Sequence, residues 1–128
     1  MVVLDAGVII AHLDGDDALH ARTEELLNSL APAPLAASVL TIAECLAHPA
    51  SRGILSRAER AIEQLGVARI ALSADGAAAI ATIRSETGLR MPDAVVVHTA
   101  ELLGAQLATT DRAVARAARH RGLRAHEV

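Results

Sequence analysis

Short, mainly apolar runs recur along this chain, each but the last followed by a segment long enough for a helix. Met1-Val2-Val3-Leu4 closes at Asp5, and a continuous β-branched run of this kind reads as a strand buried on both faces. Further strands are expected at Leu35–Val39, Val67–Leu72 and Gln106–Thr109, with Leu123–His126 as a fifth. Between them, helical spacing covers Ala6–Leu13, a segment opened by Asp16-Asp17 and running to Leu30, and Thr41–His48, which Pro49 is expected to end. Ser56–Leu65, Ser73–Thr87, Pro92–Leu103 and Asp111–His120 complete the helices, with Gly88 and Gly104 as stop signals. Strands alternating with helices predict an α/β fold: a parallel sheet of four to five strands, flanked by helices on both faces. At 128 residues the chain has the size of one domain, so residues 1–128 are expected to form a single unit.

Composition narrows the chemistry. The chain contains no Phe, Tyr or Trp, so its core must be built from Leu, Ile, Val and Ala, and no base of a nucleic acid can stack on an aromatic ring. Cys45 is the sole cysteine, which excludes an intramolecular disulfide, a zinc knuckle and a redox CxxC pair. A reduced, cytoplasmic setting is expected, with no signal peptide and no apolar run long enough for a bilayer. All 12 basic residues are Arg, and the net charge of −3 argues against binding nucleic acid by bulk electrostatics alone. From Asp111 onward, five Arg stand against two acids, a local +3 that leaves −6 on the first 110 residues.

Four acids stand out against this background. Asp5 and Asp111 each follow a predicted strand where a helix begins, the rim of an open α/β sheet where ligands bind. Glu44 and Asp93 are both expected in the first turn of a helix, so all four can share one edge. Each acid also has a structural reading. Asp111 fits an N-cap, Asp93 complements a helix dipole, and Thr41-Ile42-Ala43-Glu44 matches a capping box. Asp5 resists that reading best, because a carboxylate at a buried strand end is costly unless paired or metal-bound. Clustered carboxylates repel one another unless a cation neutralises them, and oxygen ligands suit Mg²⁺, with Mn²⁺ as an alternative. A metal held by Asp5, Glu44, Asp93 and Asp111 would serve phosphodiester hydrolysis by an activated water. Other chemistries with an acid after the first strand fail on this sequence. A haloacid-dehalogenase-like phosphatase needs a second Asp where Gly7 stands, and a phospho-receiver needs a Lys. No P-loop, dinucleotide fingerprint or nucleophile elbow is present.

The segments Val3-Leu4-Asp5-Ala6-Gly7-Val8-Ile9-Ile10, Thr41-Ile42-Ala43-Glu44, Met91-Pro92-Asp93-Ala94-Val95-Val96 and Leu107-Ala108-Thr109-Thr110-Asp111-Arg112 together resemble the PIN-domain family. They most resemble the VapC-type toxins of bacterial toxin–antitoxin pairs. The resemblance implies a single PIN-like nuclease domain with Mg²⁺-dependent endoribonuclease activity. It also implies a homodimer and a cognate VapB-like antitoxin that blocks the site. It assigns Asp5, Glu44, Asp93 and Asp111 to the metal and catalytic positions, and Thr109 to a hydroxyl that supports them. Two positions depart from the family pattern. Gly7 stands where Ser or Asn is frequent, and Ala113 and Val114 stand where an aromatic is common after the last Asp. The alternatives are a PIN-type nuclease of RNA processing or of DNA, and a catalytically silent binding module.

Arg112, Arg116 and Arg119 recur at helical spacing, a pattern that usually marks a solvated face. Because the stripe begins beside Asp111, Arg112 and Arg116 are also candidates for contacts to RNA phosphates. His98 lies five residues beyond Asp93 and is expected to be packed, or at a subunit contact, rather than a ligand. Cys45 is expected to be a small buried side chain.

Overall fold

The computed structural model describes every residue, Met1–Val128. Five strands, β1 (Val2–Leu4), β2 (Leu35–Ser38), β3 (Ala68–Ile70), β4 (Gln106–Thr109) and β5 (Ala125–Glu127), form one sheet of order β3-β2-β1-β4-β5. All pairings are parallel, with Val3 opposite Ala36 on one side and Leu107 on the other. Seven helices cover it: α1 (Ala6–Leu13), α2 (His20–Leu30), α3 (Val39–Ser51), α4 (Leu55–Gln64), α5 (Gly76–Thr87), α6 (Met91–Leu103) and α7 (Arg112–His120).

Alternation along the central strands splits the core in two. Val3, Ala36 and Leu107 face α5, α6 and α7, where Ile83, Val96, Val97 and Val114 are fully buried. Val2, Leu4, Ala37 and Ala108 face the other way, onto Val8, Ile9, Ile42 and Ile62 of α1, α3 and α4. Both faces are therefore sealed without an aromatic ring, because small Ala side chains on β2, β4 and α7 let the layers approach. The sheet grows from β1 through β2 to β3, and the chain then returns to place β4 on the opposite side of β1. This reversal makes the crevice above β1 and β4 the switch point of the sheet, the position at which open α/β folds bind ligands.

The edge strands β3 and β5 are shorter or shifted against the expected Val67–Leu72 and Leu123–His126, Val39 belongs to α3 rather than to β2, and four helix ends differ from expectation. Pro49 does not end α3, which continues to Ser51; Arg52 closes the helix by donating its N–H to the His48 and Pro49 carbonyls. A proline late in a helix loses one N–H bond but does not forbid a further half-turn. Asp16-Asp17 do not open α2, which begins at His20; Asp14 and Asp17 instead accept from the N–H groups of Asp16 and Leu19 in a turn. The α5 helix starts at Gly76 rather than Ser73. The α3 helix starts two residues before Thr41, because Ser38 is its N-cap and accepts from the Thr41 N–H at 3.0 Å.

Candidate functional site

Asp5 terminates β1 and caps α1 with its own side chain. Its Oδ1 accepts from the Ala6 N–H at 2.7 Å, and its N–H donates to the Ala108 carbonyl of β4. Asp111 does the same one strand away, capping α7 through Oδ1 with bonds from Ala113 N–H at 2.6 Å and Val114 N–H at 3.3 Å. The two acids are joined by Thr109, a fully buried residue at the end of β4. Its hydroxyl donates to Asp5 Oδ2 at 2.6 Å and accepts from the Asp111 N–H at 2.9 Å. A hydroxyl satisfied on both sides has one orientation available, so it fixes the Asp5 carboxylate in place.

Asp93 sits in the first turn of α6, where the Arg90 guanidinium donates to its Oδ2 at 3.2 Å. Its side chain is only 14% exposed, although Arg90 is largely in solvent. Glu44 differs from its expected position. With α3 beginning at Val39, Glu44 is in the second turn, and Ser38 rather than Thr41 caps the helix. The capping-box reading of Glu44 therefore fails, and no backbone N–H at the helix start claims its carboxylate.

Electrostatics tie the four together. Burial pushes the Asp5 carboxyl above the usual range; the bonds from Thr109 and Ala6 oppose this, and the charges of Asp93 and Asp111 add to it. Glu44 is likewise raised, first by desolvation and then by Asp5 and Asp93, with Arg90 pulling it back. The acids at this rim thus feel one another as a cluster of like charge. Their donor chemistry suits a hard divalent cation: Asp5 and Asp111 keep free lone pairs beyond their capping bonds, and Mg²⁺ takes only one or two carboxylates directly while retaining several waters. As placed, no three acidic, His or Cys side chains converge into a ready-made ligand set. A cation there would be held by one or two of these carboxylates, with water completing its shell.

The arginine stripe separates into paired and free members. Arg112 and Arg119 both engage Glu127 of β5, at 3.2 and 3.8 Å, and Arg121 is held between Glu86 and Glu101. Arg116 makes no ion pair; it lines a cleft of about 240 Å³ with Thr87, Glu86 and His120. His98 is buried and packs on Gly76 between α5 and α6, which agrees with a packed residue. Cys45 is buried, donates to the Ala6 carbonyl, and its thiol is pushed up to about 12 by desolvation and by Glu44 and Asp5.

Sequence reasoning overlooked Ser38 and Arg90. Ser38 is a buried hydroxyl at the end of β2 that sets where α3 starts, and hence where Glu44 points along the helix. Its signal was the Ser-to-Thr41 spacing of three. Arg90 stands three residues before Asp93, the spacing of a helical ion pair.

The PIN-domain family pattern matches residues 2–120. No curated protein matches the chain. Among solved structures, a toxin–antitoxin complex from Klebsiella pneumoniae superposes with a TM-score of 0.74 at 23% identity, covering 87% of each chain. FitAcB from Neisseria gonorrhoeae gives 0.76 at 23% identity, covering 99% of this chain and 97% of that one. VapC20 of Mycobacterium tuberculosis, a sarcin–ricin-loop-cleaving toxin, gives 0.68 at 18% identity, with 83% and 85% covered. These likenesses are of fold. No helix is long and apolar enough to cross a membrane. A family pattern spanning nearly all of the 128 residues, laid over a parallel sheet with acids at its switch point, establishes that the chain belongs to the PIN-domain family.

Proposed function

We propose that the protein is a Mg²⁺-dependent endoribonuclease and the toxin of a type II toxin–antitoxin pair. The observation that carries this reading is the bond path from Asp111 N–H through the Thr109 hydroxyl to Asp5, at the sheet's switch point. Asp5, Glu44, Asp93 and Asp111 would hold the cation, Mg²⁺ or Mn²⁺. When bound, it supplies a Lewis acid for phosphate oxygens and lowers the pKa of water enough for attack on phosphorus. The chain's own part is positional. Thr109 locks Asp5, the caps at α1 and α7 hold Asp5 and Asp111 at fixed angles, and Arg90 steadies Asp93. Arg116, free of a carboxylate partner and close in sequence to Asp111, is suited to a flanking RNA phosphate. Arg112 is less available, because Glu127 competes for it.

The Klebsiella neighbour is a toxin–antitoxin complex, which supports a VapB-like antitoxin as partner; the cytoplasm is the compartment this reading requires. For the homodimer, an apolar cleft of about 390 Å³ between α3, α5 and α6 offers a surface. Leu40, Leu72, Ile80, Met91 and Val95 line it, with Leu72 and Met91 substantially exposed. The test is cleavage of total RNA by antitoxin-free protein with Mg²⁺, with EDTA, and after Asp5→Asn. The reading expects fragments only in the first. Cleavage that survives EDTA or the substitution would overturn it.

A further inference from the structure

Gly7 lies in the first turn of α1, two residues beyond Asp5. A Cβ built on it would fall 2.1 Å from the Thr110 hydroxyl oxygen, 3.3 Å from Thr110 Cβ and 3.5 Å from its Cγ2. No side chain is compatible with that first separation, so any residue with a Cβ at position 7 would drive Thr110 out of its rotamer. Thr is stiff at χ1, and its alternatives turn the hydroxyl away from α1. The glycine is therefore what lets the Thr110 hydroxyl lie over the first turn of α1. Thr110 stands between Thr109, which is bonded to Asp5, and Asp111, which caps α7. Unlike Thr109, it is only half-buried, and its hydroxyl makes neither of the bonds that tie Thr109 to Asp5 and to the Asp111 N–H.

The chemistry of the rim says what such a group is for. The four acids can only accept hydrogen bonds when ionised, and a phosphodiester also presents only acceptors. The Thr109 hydroxyl is already committed to Asp5. Thr110 supplies an uncommitted side-chain donor there, beside the free backbone N–H groups at the starts of α1 and α7. We infer that Thr110 is a substrate-binding residue of the nuclease site: its hydroxyl donates to a non-bridging oxygen of the RNA phosphodiester, and Gly7 leaves the room that orients it. This rests on the nuclease reading above. It also gives a physical reason for Gly7, since a larger residue there and an inward Thr110 exclude each other.

The test compares Thr110→Val, which keeps the shape and removes the donor, with Thr110→Ser, which keeps the donor. Cleavage of RNA with Mg²⁺ and melting temperature are measured for each. RNA affinity is measured in EDTA in an Asp5→Asn background by fluorescence anisotropy, so that one readout does not depend on turnover. A lost bond to a charged acceptor predicts about a ten-fold or larger fall in kcat/KM and weaker RNA binding for Thr110→Val. Thr110→Ser should stay within about three-fold of the wild type on the same scale, with similar melting temperatures. Gly7→Ala should reproduce the loss, and adding Thr110→Ala to it should bring little further loss, because both changes remove one interaction. Wild-type behaviour of Thr110→Val, an equal loss in Thr110→Ser, or additive losses at positions 7 and 110 would overturn the inference. Abolished cleavage in Asp5→Asn alongside unimpaired Thr110→Val would overturn it while leaving the nuclease reading intact. A wild type that cleaves no RNA would overturn both.

Discussion

The Thr109 hydroxyl donates to Asp5 Oδ2 at 2.6 Å, joining residues 104 positions apart across two adjacent parallel strands. Because Thr109 also accepts from the Asp111 N–H, this one hydroxyl aligns both acids that end strands at the switch point. Removing it while preserving shape should be costly in two ways. Thr109→Val leaves a buried Asp5 oxygen and the Asp111 N–H without their partner, a loss of about 1–3 kcal/mol in unfolding free energy by denaturant titration. It also removes an influence that holds the Asp5 pKa down, so the acidic limb of the cleavage–pH profile should move to higher pH. Thr109→Ser should preserve both. An unchanged profile in Thr109→Val would show that Asp5 is oriented by other means.

Asp5 should trade stability for activity. Its folded pKa is raised above the ordinary 3.8, chiefly by desolvation, so the folded protein binds the proton more tightly than the unfolded chain. Stability therefore falls as pH rises from the ordinary value through the raised one, and the penalty persists to neutral pH. Asp5→Asn removes the titrating charge. Without divalent cation, it should melt higher than wild type at pH 7, with the gap closing toward acid pH, while cleaving no RNA. A variant that melts lower at pH 7 would mean that the charge, not its burial, dominates the local energy.

Arg112 and Arg116 should separate in function although both lie on the exposed side of α7. Arg116 has no carboxylate partner, whereas Arg112 is paired with Glu127. Neutralising Arg116 should weaken RNA binding and lower the salt slope by about one unit, and neutralising Arg112 should do less. Equal, negligible effects would return both to the solvated face.

Cys45 should be inert. Its thiol is pushed up to about 12 by burial and by the charges of Glu44 and Asp5, so it stays protonated at pH 8. Iodoacetamide should leave the folded protein unmodified and label it only after unfolding. Rapid labelling of the native protein would show that the Glu44 helix opens.

The parallel sheet is legible because its central strands β1, β2 and β4 are short, mainly apolar runs separated by helix-length segments, whereas the edge strands β3 and β5 carry Arg69, His126 and Glu127 and are read less closely. The Val2–Leu4 and Gln106–Thr109 strands and the Ala6–Leu13 helix were readable to within a residue. Helix starts were harder. Thr41 looked like a cap because Glu44 follows at capping-box spacing, but the buried Ser38 hydroxyl reaches the Thr41 N–H first and moves the start upstream. Asp16-Asp17 resembled a cap for the same reason, since Asp favours turns and N-caps alike. At the site, the positions of Asp5 and Asp111 were implicit in strand-to-helix punctuation. The Gly7–Thr110 contact was not, because it joins α1 to the end of β4 and no local pattern encodes a steric exclusion between them.

The proposed metal site requires Asp5, Glu44, Asp93 and Asp111 to share one divalent cation. Calorimetric titration of Mn²⁺ into antitoxin-free protein tests it most directly, without RNA and without turnover. A shared site gives saturable binding in the wild type that is lost or strongly weakened in Asp5→Asn and in Asp111→Asn, each folded by its melting curve. Undiminished binding in both variants, or no binding by the wild type, would contradict it.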